Sequence, residues 1–389
     1  MPLANRNLRP DEISDEKSYP LIARVCEVCL LAQVDASAPR EAIFSSYDYL
    51  SSATFGWVAH AGRFCRDAVR RFNLDRDSFV VEVASNDGYL LRHFVEMGIP
   101  VLGVEPAANV AKIAIDAGVP TLIEFFGVRT ALDIAARGRK ADLIVANNVL
   151  AHAPDTRDFT GGFARLLAPE GVAVFEFPHV MRLIDGVQFD TIYHEHVSDL
   201  SLTAVENILR AQDLRVCDAQ ELSTHGGSLR LFVCHASARH EPTEALTTLR
   251  RREHEKKLDR IEGYLDFSSR IAAVKASFLA FLASAKRDGK TIAGYGAAAK
   301  GATFLNYCGV NYPSLCEIYD RSQMKQGKIT PGSHIPIFPP ERIAETKPDY
   351  VLILPWNIAT EVRANMAFIE QWGGRFVTAI PHICIYEKT

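Results

Sequence analysis

Residues 193–196, inside "FDTIYHEHVSDL", set a phenol, an imidazole, a carboxylate and a second imidazole side by side in a chain with only 12 histidines. Groups of these types take and give protons, imidazole most readily near neutral pH. A metal site is the other chemistry such a run suggests. Neighbours in an extended segment project to alternate faces, however, so His194 and Glu195 do not converge on one ion. A second cluster closes the apolar run in "VVEVASNDGYLL": Glu82 stands near the strand end, and Ser85, Asn86, Asp87 and Gly88 make a turn. This turn has one glycine and two nearby acids. It lacks the amide nest that a pyrophosphate needs and suits a cationic ligand without phosphate. Glu105 closes the next strand, in "VLGVEP", where an acid can accept both hydroxyls of a ribose. Asn147, Asn148 and His152, in "NNVLAH", end a later strand and face the same crevice, and Phe125 and Phe126 are candidates for an adenine wall. A ribose, an amino-acid tail and a sulfonium together describe S-adenosylmethionine, the expected cofactor.

Such groups need a scaffold that delivers strand ends to one crevice. The stretch 79–118 reads strand, turn, helix, strand, helix, and further strands follow at "ADLIVANN", "GVAVFEFP", 214–218 and 228–234. That alternation predicts an α/β fold with a doubly wound, Rossmann-like core over residues 61–240. Residues 1–60 lack sustained periodicity and predict a small irregular subdomain. Residues 241–285, with "LRRREHEKKLDRIEGYL", read as a helical connector whose alternating charges face water. A second strand, glycine turn and helix begin at "KTIAGYGAAAKGATFLNYCG", so 286–389 predict a second, smaller α/β domain. The length of 389 residues accommodates this division, since one core seldom organises so long a chain. With 48% apolar and 23% charged residues and a net charge of -4, the chain has neither the basic surface of a polyanion binder nor a disordered composition. Nucleic acid is therefore not an expected partner. Apolar runs such as "YVLILPW" are too short to cross a bilayer, and a cytoplasmic protein without a membrane partner is expected. Of eight cysteines, only Cys26 and Cys29, in "CEVC", are spaced as a metal-ligand pair.

Over almost its whole length the chain resembles the sugar C-methyltransferases that act on nucleotide-linked 4-keto-deoxysugars. The resemblance is carried, in order, by "MPLAN", "CEVC", "YDYLSSATFGWVAHA", "EVASNDGYLL", "NNVLAH", "FDTIYHEHVS", "HGGSLR", "GYGAAAKGATFLNYCG" and "PGSHIPI". It implies a zinc-binding N-terminal subdomain, a methyltransferase core and a C-terminal domain that helps bind the nucleotide-sugar. Zinc is implied with two CxxC pairs, of which this chain shows Cys26 and Cys29, so an incomplete metal shell is expected. The resemblance places catalysis on Tyr193, Glu195 and His196, with His152 and a tyrosine of "YDY" beside them. In that scheme His196 is the base that removes the hydrogen next to the ketone, and Glu195 orients its ring. Tyr193 and His152 contact the keto oxygen or the sugar, with Tyr47 ahead of Tyr49 as the further tyrosine. Glu82, Asn86, Gly88, Glu105 and Asn147 are the cofactor-binding candidates. A TDP-like handle carries a pyrophosphate, which assigns Gly294, Tyr295, Gly296, Lys300 and Asn306 to the nucleotide-sugar, with Ser228 and Arg230 of "HGGSLR" as further contacts. The expected state is a monomer or weak oligomer. An O- or N-methyltransferase, a nicotinamide-dependent oxidoreductase and a catalytically idle nucleotide-sugar-binding protein stay open as alternatives.

Overall fold

The structure, a computed structural model, describes residues 1–35, 50–53 and 55–387. Near the N-terminus, β1 (Ala23–Val25) and β2 (Ala32–Val34) form a short antiparallel pair. Next come β3 (Val80–Val83), β4 (Val101–Val104), β5 (Thr121–Leu122), β6 (Ala141–Asn147) and β7 (Leu167–Pro178), all parallel. The two-residue β8 (Ser198–Asp199) leaves this order and pairs with β2, so the N-terminal sheet borrows its third strand from just beyond the 193–196 cluster. Two longer strands, β9 (Leu214–Leu222) and β10 (Ser228–His235), then close a seven-stranded sheet of order β5-β4-β3-β6-β7-β10-β9, with β10 antiparallel to both neighbours.

Both faces of this sheet are covered, which is why its central strands read as continuous apolar runs rather than as alternating ones. The side chains still alternate. Ile144 and Ala146 of β6 enter one core with Phe175 and Phe177, while Leu143 and Val145 enter the opposite core with Val172 and Val174. The helix Phe55–Phe72, α1, packs on the second of these faces through Phe64, Cys65 and Ala68.

The connector differs from a water-facing linker. Its first helix, Glu244–Glu255 (α2), buries Leu246 and Leu249, and Glu253 is only 1% exposed. That carboxylate accepts from His179 Nε2 at 2.7 Å, from the backbone amides of Leu202 and Thr203, and from the Thr203 hydroxyl. It thereby caps the N-terminus of the helix Leu202–Arg210. Counting charges along the chain could not separate this one buried acid from its solvated neighbours. The second helix, Phe267–Arg287 (α3), turns Val274, Phe278 and Ala285 inward. Length and composition alone would let residues 261–287 cross a bilayer, a possibility that the shorter apolar runs had not suggested.

The C-terminal unit is a third sheet, built from β11 (Ile292–Tyr295), β12 (Ile318–Tyr319), β13 (Ile337–Phe338), β14 (Tyr350–Ile353), β15 (Arg375–Thr378) and β16 (Cys384–Ile385). Its order is β13-β12-β11-β14-β15-β16, parallel except for β16. After β11 the chain turns at Gly296 into the helix Ala299–Cys308, α4. Phe304 and Tyr307 of α4 pack on Phe189, at ring separations of 6.0 and 5.0 Å, and so join this unit to the segment leading into residues 193–196.

Candidate functional site

The turn after β3 is held in uncommon backbone conformations. Ala84, Asn86 and Gly88 all have positive φ, at 56°, 49° and 76°. Two non-glycine residues in the left-handed region cost energy that surrounding contacts must supply, and such strain gathers at ligand sites. The contacts are visible. Glu105 accepts the Asn86 amide at 3.0 Å on one oxygen and the Ala107 amide at 2.8 Å on the other. Asn86 Oδ1 and Asp87 Oδ2 accept the amides of Ser51 and Ser52, which roof the turn. Asp87 Oδ1, Ser85 Oγ and Asn147 Oδ1 are buried and take no hydrogen bond among the described residues. Buried polar atoms of this kind are uncommon unless something else satisfies them. Burial raises the Glu105 pKa, with the two amides opposing it. Glu82 lies deeper, fully buried with Tyr89 as a hydrogen-bond partner, and burial pushes its pKa well up. Of the aromatic pair, Phe126 packs on Phe159 and Phe163, while Phe125 is 58% exposed.

Across the crevice, the segment 189–196 brings three rings together. The Thr191 carbonyl can only accept, so His196 Nδ1, 2.8 Å away, carries the proton. Nε2 is then the lone-pair nitrogen, and it receives the Tyr193 hydroxyl at 2.9 Å. His152 meets the His196 ring edge-on at 4.9 Å. Burial, then His152, Lys300 and His225, hold the His196 pKa well below the ordinary imidazole value. His152 is lowered to about 4 by burial. The resting cluster is thus neutral.

Glu195 does not orient His196. Its carboxylate turns instead toward the N-terminal segment, where both oxygens accept from Asn5 Nδ2, and Thr191 does the orienting. The segment is not the extended chain that alternation requires: His196 N–H donates to the Tyr193 carbonyl at 2.9 Å, closing a turn that brings the Tyr193 and His196 rings together and sends Glu195 elsewhere. His194 reaches the Pro20 carbonyl at 3.1 Å, a structural contact.

The second unit completes the enclosure. Lys300, near the start of α4, donates to Asn357 Oδ1 at 2.8 Å and lies 4.7 Å over the Trp356 ring. Burial lowers its pKa, opposed by the charge of Asp190. Asp190 in turn accepts from Trp356 Nε1 at 2.8 Å and is raised to about 6 by burial. Gly226 has φ 92°, and a Cβ there would come within 2.5 Å of the Trp356 ring, so only glycine lets the 224–227 loop meet this unit. The preceding His225 stacks edge-on against Trp57 at 5.1 Å, and its Nε2 accepts from Asn148 at 3.3 Å.

Several expected substrate contacts are used elsewhere. Arg230 lies opposite Glu176 in the β7–β10 register and binds that carboxylate through Nε and Nη2, at 3.1 and 2.6 Å, with His60 on the same group. It also covers the Phe64 ring. Burial works to raise the Glu176 pKa, but the His60 bond and the Arg230 charge hold it below the usual range. Ser228 is 1% exposed and donates to the Thr224 carbonyl. Tyr295 is buried in the second unit's core, Gly294 makes room for Ile318 across the sheet, and Asn306 donates to the Ala302 and Pro331 carbonyls. Tyr47 and Tyr49 lie outside the described residues. Asn5, Asp190, His225 and Trp356 were missed. For His225 the signal was present, a histidine followed by two glycines.

Cys26 and Cys29 face each other across one turn, with the amides of Val28 and Cys29 directed at the Cys26 sulfur. Among the described residues no third histidine, cysteine or acid joins them, so this donor set does not fit a closed tetrahedral zinc.

Comparison with known proteins matches three stretches of the chain. Residues 223–381 match a family model described as "C-methyltransferase C-terminal domain". Residues 57–219 match "Methyltransferase domain", and residues 1–44 match "Putative zinc binding domain". The chain is 36% identical over 371 residues to the C-methyltransferase NovU of Streptomyces niveus, covering 95% of this chain and 88% of that one. A ubiquinone biosynthesis O-methyltransferase of Rhodopseudomonas palustris (strain HaA2) is 30% identical over 120 residues, which are 28% of this chain and 47% of the other. Among solved structures, the magnesium protoporphyrin IX methyltransferase of Synechocystis PCC 6803 with bound S-adenosylmethionine is 15% identical, with a TM-score of 0.35 over 46% of this chain and 80% of that one.

Proposed function

Because this chain belongs to the S-adenosylmethionine-dependent C-methyltransferases, we propose that it acts on a nucleotide-linked 4-keto-deoxysugar and methylates carbon 3, next to the ketone. When bound, the cofactor supplies a methyl group activated on a sulfonium. Glu105, Asn86, Gly88 and Asn147 are the residues that would hold it, and the unpartnered Asp87 and Ser85 oxygens beside them fit a ligand rich in donors.

One observation carries the reading: a neutral imidazole, His196, aims its lone pair at the phenol of Tyr193 beside His152. Carbon methylation needs a proton acceptor, because the carbon has no lone pair until its hydrogen leaves. An oxygen or nitrogen acceptor asks for less. In the proposed step, the carbon 3 proton passes to the Tyr193 oxygen while the phenol proton passes to His196 Nε2. The electron pair left on carbon spreads onto the keto oxygen, giving an enolate, the carbon nucleophile that methyl transfer requires. His196 keeps its Nδ1 proton on Thr191 throughout, so the ring stays aligned as it becomes an imidazolium. His152 is the group proposed to serve the developing oxyanion, a role that needs a donor already in position. Lys300 and the turn at Gly296 are the groups proposed for the TDP-like pyrophosphate.

Incubation of the enzyme with a TDP-4-keto-deoxysugar in deuterium oxide, without cofactor, tests this. Deuterium at carbon 3 is the expected result. No exchange at carbon, with methylation of an oxygen or nitrogen once S-adenosylmethionine is added, would overturn it.

Glu105→Ala should weaken cofactor binding by about 1.5–3 kcal/mol, the usual worth of hydrogen bonds to a charged group. That corresponds to a roughly 10- to 100-fold rise in Kd. Calorimetry showing unchanged affinity removes Glu105 from the cofactor site.

A further inference from the structure

We propose that Asn5 is a positioning residue of this enzyme: its side-chain amide holds the Glu195 carboxylate in place and favours its charged form, so the N-terminal segment completes the 193–196 cluster. The inference rests on the reading of residues 193–196 as catalytic.

The geometry is direct. Asn5 Nδ2 stands 2.7 Å from one Glu195 oxygen and 2.8 Å from the other, across 190 residues of sequence. An amide NH2 only donates, and an ionised carboxylate only accepts, so near-equal bonds to both oxygens match the charged form. Glu195 is 7% exposed and forms no ion pair among the described residues. Among the described residues, this amide is the group that offsets its burial.

Asn5 is itself anchored. Leu8 and Ile329 exchange both backbone hydrogen bonds, at 3.0 and 2.8 Å, and Glu16 accepts from the Gly332 amide and from His334 Nε2, each at 2.8 Å. Ala4 packs with Ala299 and Ala302 of α4 and with the Tyr193 ring. The segment therefore ties the second unit to the catalytic strand of residues, with Asn5 at the point of contact.

The titratable groups around Glu195 are Tyr193, His194 and His196 in its own segment, and His152, whose ring bonds the Glu195 backbone. From the N-terminal segment come Tyr19, whose ring meets that of His194 at 6.0 Å, and the Met1 ammonium, which acts on His194. Burial lifts the Glu195 pKa to about 7 and the Asn5 bond opposes that rise. Removing the bond moves the pKa higher, and at pH 7 most molecules then carry a protonated, neutral Glu195.

The test is a carbon-13 NMR titration of glutamate-labelled enzyme, with the Glu195 signal assigned by its loss in Glu195→Gln. Asn5→Ala should shift the Glu195 titration upward by about one pH unit. Asn5→Asp keeps the side-chain shape, replaces the donor by an acceptor, and should shift it further. Substrate deuterium exchange at pH 7 should fall by roughly fivefold in Asn5→Ala and by more in Asn5→Asp, and recover as the pH is raised, which a merely structural lesion would not do. An unmoved Glu195 titration in both variants overturns the proposal. A moved titration in an enzyme that never exchanges deuterium would uphold the Asn5 contact and count against the enolate reading instead.

Discussion

His196→Asn should abolish methyl transfer and solvent exchange of the substrate hydrogen together, while cofactor and nucleotide-sugar still bind. General-base assistance is typically worth about 10²- to 10⁴-fold, and asparagine cannot accept a proton at neutral pH. Its side chain can still reach the Thr191 carbonyl, which limits the change to chemistry rather than to the loop. The hydrogen bond between Tyr193 and Nε2 makes a second demand. If the phenol relays the proton, Tyr193→Phe must fall by a similar factor, since His196 would then face a ring edge with no proton to take. Near-normal exchange in Tyr193→Phe would show that His196 acts on the substrate without a relay. The expected pH behaviour follows from the lowered His196 pKa. A base that is active when neutral, and whose pKa lies well below 6.5, stays competent through mildly acid conditions. Any acid limb near neutrality must then come from another group, with Glu195 the leading choice at about 7.

Arg230→Met should cost the fold about 3–5 kcal/mol, because it leaves the Glu176 carboxylate buried without its charged partner. Arg230 is 7% exposed and Glu176 is fully enclosed, so water cannot stand in for the guanidinium. His60 would keep its contact with the carboxylate, and the buried acid would be driven toward its protonated form. Denaturant unfolding at several pH values measures this directly. Had Arg230 bound a phosphate, the same substitution would leave stability nearly unchanged and weaken TDP binding. A stable Arg230→Met enzyme with lost TDP affinity would therefore restore the substrate role that the strand register argues against.

The two cases show what could be read along the chain. The turn after β3 was legible as a turn because strand, turn and acid lie close together in the chain, and their period and polarity are local properties. The 193–196 cluster was legible as a cluster because its residue types are rare together. Arg230 was not, because its fate depends on what stands opposite it, and Glu176 lies in a strand that only the sheet register brings alongside. An arginine inside the apolar "SLRLFVC" was the available hint, since a charge so placed needs a partner. Tyr295 fails for a similar reason: a residue at a strand end can face a ligand or the core, and here Tyr319 and Phe376 surround it. Glu195 and Asn5 could not be joined at all by spacing, being brought together by a segment that crosses between units.

The three-stranded sheet carries a consequence for biosynthesis. β2 acquires its second neighbour only from β8, which lies beyond the whole run of parallel strands. As the chain leaves the ribosome, the first hairpin emerges early and waits with one edge open until residues 198–199 are made. Loop closure over so long an interval is slow compared with forming a hairpin, and an open edge invites pairing with another nascent chain. Of the seven-stranded sheet only β3 to β7 are made in that interval, since β9 and β10 follow β8 in the chain. Closure of the small sheet therefore waits on the parallel strands but not on the antiparallel edge of the larger sheet, which the ribosome delivers afterwards.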